Sequence, residues 1–256
     1  MLGSIQKLGM AILVAACIGG IANLFNSQPS MAQPKEEAKK EEAKKEEGKR
    51  PPVCQGNPPT GRVKCNYEGA DNYEGDFVNG LPDGTGLYVY ANGDRYEGQF
   101  RNGVPNGRGT FIFKDDGRYT GVFQDGTMRS GTVVFANGER YVGDFAVVVN
   151  VTTKVVSSQP SGRGQFFYSN GDRYEGQFFA GSPFGPGMLV RKNGTRCSGT
   201  FFNLELDASV TCNFPNGTRY EGELRKGLPH GVGTMIDVNG RRFPGVFRNG
   251  KPGLSS

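Results

Sequence analysis

The sequence predicts an all-β fold: an elongated single-sheet antiparallel β-meander made of about eight stacked hairpins. Three observations predict it. Tyr73, Tyr96, Tyr119, Tyr141, Tyr174, Cys197, Tyr220 and Phe243 follow one another at intervals of 23, 23, 22, 33, 23, 23 and 23 residues. Each is followed two residues later by glycine, from Gly75 to Gly245, and four later by Phe77, Phe100, Phe123, Phe145, Phe178, Phe201, Leu224 or Phe247. Between the copies, Asn-Gly and Asp-Gly pairs supply the positive φ angles of tight turns. A fixed short period marks units that bury their apolar faces only against their neighbours.

The unit reads as a hairpin because its periodicity is two. In YEGDF, from Tyr73, the ring, the glycine and the second ring share one strand face, with Glu74 and Asp76 on the other. A turn-rich stretch follows, NGLPDGTG here and NGVPNGRG after Phe100, and then a second alternating run such as LYVY or TFIF. Glycines spaced by two, such as Gly84 with Gly86 and Gly107 with Gly109, weaken a strand unless a neighbouring ring lies on the backbone there. Glycine makes up 41 of 256 residues with no collagen period, and tryptophan is absent, as suits an open sheet without a thick core.

The pattern Gly-x-x-Tyr-x-Gly-x-Phe-x-x-Gly-x-x-x-Gly-x-Gly resembles the MORN (membrane occupation and recognition nexus) repeat. It stands almost complete in GDRYEGQFRNGVPNGRG from Gly93, GDRYEGQFFAGSPFGPG from Gly171 and GTRYEGELRKGLPHGVG from Gly217. The resemblance implies a twisted, groove-like sheet used for scaffolding, dimerisation or docking to partners and membranes, with no catalysis in the repeats.

Along the chain, residues 1–32 read as a signal peptide. Lys7 precedes an apolar stretch from Leu8 to Phe25, and Ser30 and Ala32 suit cleavage before Gln33. Two rivals remain open: a lipoprotein start at Cys17, after the run VAAC, and an uncleaved membrane anchor. Residues 33–52 form a charged linker whose KEEAK, KEEAK and KEEGK units place Glu36 with Lys40 and Glu41 with Lys45 at helical i, i+4 spacing. A helical spacer and a disordered soluble tail both fit. Residues 53–69 are an N-terminal half-repeat cap, 70–253 the repeat domain and 254–256 a tail.

Beyond the leader, Cys54, Cys65, Cys197 and Cys212 are even in number and suit an oxidising compartment, which points to an exported protein in the periplasm, outside the cell or in an organelle lumen. Cys197 takes the place of a repeat tyrosine, and Cys212 holds the register of Tyr88 and Phe111. The two therefore face each other across a hairpin, and Cys54 with Cys65 would staple the cap. Four buried thiols are the alternative. No common zinc-finger spacing is present and His230 is the sole histidine, so no metal or cofactor is expected. His230 lies in LPHG, a turn position of the repeat, so no nucleophile and base pair forms around it. The chain reads as no enzyme, with no small-molecule substrate.

Two surfaces are candidates for binding. Arg95, Arg118, Arg140, Arg173, Arg196, Arg219 and Arg242 each precede the repeat position and form an outward stripe. Paired with Glu74, Glu97, Glu175 and Glu221 they make a cross-strand charge ladder; unpaired, beside Thr120, Val142 and Ser198, they make an anion-binding strip for a membrane surface or a polyanion. A net charge of +5 over the chain gives no case for nucleic acid. The second surface is the insertion at 146–160, where the fourth unit is ten residues too long. Val147, Val148, Val149, Val151, Val155 and Val156 predict an extended apolar hairpin, either plain loop variation or a docking and self-association edge. Function therefore reads as a non-enzymatic scaffold or adaptor, with membrane or polyanion binding as the alternative.

Overall fold

The computed structural model describes residues 52–56, 60–149 and 156–253. These residues hold eighteen strands and no helix, all in one antiparallel sheet. They fall into two compact units. The N-terminal unit holds β1 (Val53–Gly56), β2 (Gly61–Asn66), β3 (Asn72–Val78), β4 (Leu81–Val89), β5 (Arg95–Arg101) and β6 (Val104–Ile112). The C-terminal unit holds nearly all of β7 (Arg118–Gln124), then β8 (Thr127–Val134), β9 (Arg140–Val149), β10 (Val156–Phe167), β11 (Arg173–Phe179) and β12 (Ser182–Val190). It continues through β13 (Arg196–Phe201), β14 (Ala208–Asn213), β15 (Arg219–Arg225), β16 (Leu228–Ile236), β17 (Arg242–Arg248) and β18 (Lys251–Pro252). The leader and nearly all of the charged linker, residues 1–51, and the tail at 254–256 lie outside the described residues.

The repeat tyrosines explain the paired glycines. Gly75 of β3 and Gly86 of β4 are register partners, and a Cβ built on Gly86 would lie 2.5 Å from the Tyr73 ring. The ring thus rests on bare backbone where two strands meet. Gly176 with Gly187 under Tyr174, and Gly222 with Gly233 under Tyr220, repeat the arrangement. Each hydroxyl then donates to the carbonyl three residues on: Asp76 at 2.6 Å from Tyr73, Gln177 at 3.0 Å from Tyr174, Glu223 at 2.9 Å from Tyr220. Burial pushes the Tyr119 and Tyr174 hydroxyls up to about 12, so they stay protonated donors in neutral solution. Each ring also meets the phenylalanine of the next unit edge-on: Tyr73 with Phe100 at 5.2 Å, Tyr141 with Phe178 at 5.0 Å, Tyr174 with Phe201 at 4.9 Å. Such pairs contribute about 1 kcal/mol each beyond their burial, and they are how one repeat holds the next.

The turn is shorter than the sequence suggests. Only Asn79 and Gly80 turn, both at positive φ, and β4 already starts at Leu81. The stretch LPDGTG is a strand with a register shift opposite Gly75 to Phe77, which lets Pro82 face Phe77. His230 is likewise in strand β16, opposite Glu223, and not in a turn. In the shifted segment the Asp76 carboxylate accepts the Thr85 N–H at 2.8 Å and its hydroxyl at 2.9 Å. Those two donors, the backbone one foremost, hold Asp76 below its ordinary value of 3.8. A depressed carboxyl stabilises the fold above the unfolded value and loses that contribution as pH falls through the folded one. Wild type and Asp76→Asn should therefore differ in Tm above pH 3.8 and converge in stronger acid. A gap that persists unchanged in acid would show that the charge is not what matters.

A second set of clamps joins neighbouring repeats and was not foreseen. The nearly buried Asp94 accepts the Lys114 N–H, Asp172 the Lys192 N–H at 2.9 Å, and Glu139 the Ser169 N–H at 3.3 Å. At the opposite end of the hairpins, Gly103, Gly126, Gly181 and Gly250 donate to the carbonyls of Pro82, Pro105, Pro160 and Pro229 in the preceding unit. Among the repeat positions that carry a ring, the packing fails at the last unit. Phe243 is 51% exposed, and a Cβ on Gly245 would meet nothing within 4 Å, because among the described residues β18 pairs with β17 only at Phe247 and Arg248 and Phe243 carries no hydroxyl.

Candidate interaction surfaces

The insertion forms two paired arms. β9 and β10 continue past Phe145↔Pro160 through Ala146↔Gln159, Val147↔Ser158, Val148↔Ser157 and Val149↔Val156. Asn150, Val151 and Val155 lie outside the described residues. Strand alternation puts Val147, Val149 and Val156 together on one face, where all three are exposed, Val149 at 52% and Val156 at 48%. Val148 sits half-buried on the other face. The root of the arms is not free, which refines the picture of a simply projecting hairpin. A register shift between Pro160 and Gly164 bends β10, and Ser158, buried, accepts the Met128 N–H of β8 at 3.1 Å.

The arginine stripe divides between the units, with Arg95 in the N-terminal one and the other six in the C-terminal one. The expected charge ladder is sparse. Glu221 takes both Arg219 at 2.9 Å and Arg242 at 2.7 Å, and Lys64 meets Glu74 at 3.7 Å. Arg242, then Arg219, hold the half-buried Glu221 carboxyl below its ordinary value. Arg95, Arg118, Arg140, Arg173 and Arg196 make no ion pair with any described residue. Arg140 instead lies 4.0 Å above the Phe167 ring, and Arg173 is half-buried with its Nε enclosed.

The cysteines pair within hairpins. Cys54 is bonded to Cys65 and Cys197 to Cys212, each pair directly opposite in register. The second bridge takes the place of a ring on glycine. Without that ring, the register partner of Gly199 is no longer glycine but Val210, whose side chain fills the vacated space and is 6% exposed. Among the described residues no group of His, Cys, Asp and Glu side chains could hold a metal ion.

One apolar patch escaped the sequence reading. Phe179, Phe184 and Phe202 lie on the outward face near the hairpin ends, with Phe179 67% exposed and its ring 6.1 Å from that of Phe184. The signal was available: the corresponding positions hold Arg101 and Arg225, or Asn106 and His230, in other repeats.

The repeats are matched by the family model for the MORN repeat over residues 73–95, 96–118, 156–173, 174–196 and 220–241. The chain is a MORN-repeat protein. The two unmatched stretches between those copies, 119–155 and 197–219, hold most of the insertion and the bridge that replaces the ring. No curated protein matches the chain. Among solved structures, the TCP domain of SAS-4 (dCPAP) from Drosophila melanogaster, in complex with a proline-rich motif of Ana2 (dSTIL), aligns at TM-score 0.38 and 14% identity over 77% of this chain and 95% of that one. The TCP10 domain of CPAP from Danio rerio aligns at 0.37 and 14% over 75% and 92%. Likeness at that level carries no weight for function. MORN repeats make this chain a repeat-type interaction or membrane-associated module.

Proposed function

We propose that this MORN protein is an exported, non-enzymatic scaffold or adaptor whose protein contacts, to a second copy or to a partner, run through the hairpin at 146–160. The observation that carries this reading is the paired arms with Val147, Val149 and Val156 exposed on one face. An apolar strand pair left in water is a surface that natural proteins cover. The two disulfides support export, since such bonds persist in oxidising compartments. Replacing Val149 and Val156 by lysine should leave the repeat sheet folded, because neither side chain is in the ring-and-glycine core. It should abolish self-association or partner capture in sedimentation and pull-down, because two charges cannot be desolvated there without partners. Unchanged sedimentation and capture would reduce the insertion to a long loop.

A second reading is favoured by one observation: Arg140, Arg173 and Arg196 face outward without acidic partners. On that reading the outward face binds an anionic surface or polymer, and its binding, unlike docking through valines, weakens steeply with added salt.

A further inference from the structure

From β9 to β13 the outward row of the C-terminal unit alternates cation and apolar side chain from strand to strand. Arg140 on β9 is the register partner of Phe167 on β10, which pairs with Arg173 on β11, then Val190 on β12 and Arg196 on β13. Successive arginines are thus two strands apart, about 9.6 Å. They run in a single file across the strands, and the Arg140 guanidinium carbon lies 4.0 Å over the Phe167 ring.

We propose that this row binds a linear anionic polysaccharide in which charged and neutral sugars alternate, laid across the strands. The inference rests on the second reading above and names its ligand. Each arginine fork would take one carboxylate, and the neutral sugar between Arg173 and Arg196 would set its apolar face on Val190. A pyranose is about as long as the spacing between strands, so the repeat of the polymer and that of the row agree. Duplex nucleic acid carries one charge per ~1.7 Å and would leave most of its phosphates unmatched by cations this far apart. A bilayer presents its charge in two dimensions, whereas on β9 to β13 the outward cations are this file and Arg163, with the exposed carboxylates of Glu175 and Asp144 beside them.

The probe is hyaluronan oligosaccharide, in which every second sugar is charged, titrated into the full exported chain by calorimetry. Polygalacturonate, neutral dextran and phosphatidylglycerol vesicles serve as comparators. Hyaluronan should bind more tightly than polygalacturonate, and dextran not at all. Arg196→Gln, at an exposed position with no ion pair, should weaken binding about tenfold, as the loss of one charge-assisted contact implies, with an unchanged melting curve. Arg173→Gln should act in the same direction. Binding of vesicles but not of hyaluronan would overturn this inference and leave the anion-surface reading standing. Binding of neither would overturn both, and hyaluronan binding indifferent to Arg196→Gln would show that the row is not the site.

Discussion

Gly187→Ala is expected to destabilise the C-terminal unit by about 3 kcal/mol, the upper part of the range for forcing atoms into a packed core. The new Cβ would lie 2.6 Å from Cζ of the Tyr174 ring, with the facing strand backbone on the other side. The ring cannot retreat without leaving its hydrogen bond to Gln177 and its edge-on contact with Phe201. Gly245→Ala is the control. It holds the position of Gly176, the register partner of Gly187 under the ring, in the last repeat, where nothing lies within 4 Å of a built Cβ, so its Tm should match wild type. Equal losses at both positions would mean that backbone freedom, and not the ring, selects glycine here.

The second large effect concerns the bridge that replaces a ring. Removing it with Cys197→Ser and Cys212→Ser opens a loop with a sequence separation of 15 and should cost about 3 kcal/mol in denaturant unfolding. Rebuilding the ordinary repeat in its place should depend on a third residue. Cys197→Tyr with Cys212→Leu drives the new ring into Val210. Adding Val210→Gly should recover about 2 kcal/mol by restoring bare backbone under the ring. If Val210→Gly gives no recovery, the ring and the glycine are not a coupled pair.

The period of tyrosine, glycine and phenylalanine made the fold legible, because both the strand alternation and the contact between repeats are written into it. The disulfide partners were legible for the same reason: cysteines at repeat positions inherit the register of the rings they replace. Residues that act between repeats were not. Asp94, Glu139 and Asp172 look like surface carboxylates in a one-dimensional reading, yet each accepts a backbone N–H from the next repeat. The bend at the root of the insertion depends on Ser158 reaching Met128, thirty residues away, which no local pattern encodes. Phe243 fits the tyrosine series in sequence but is exposed, since burial of a repeat ring depends on a following repeat. The arginines were placed correctly on the outward face. Their expected neutralisation by glutamate was realised only around Glu221; beside Arg118, Arg140 and Arg196 the residue two along the same strand is Thr120, Val142 or Ser198, which carries no charge.

The most direct test of the docking hairpin is site-specific photo-crosslinking from position 149. Two differently tagged copies of the full chain, each carrying a photoreactive residue in place of Val149, are mixed, irradiated and mapped. The hairpin account predicts a discrete adduct from position 149, to the other copy or to one partner added back from the native compartment. That adduct should disappear when Val156 is also replaced by lysine. No adduct above that obtained from the exposed Val78 of the N-terminal unit would contradict the account.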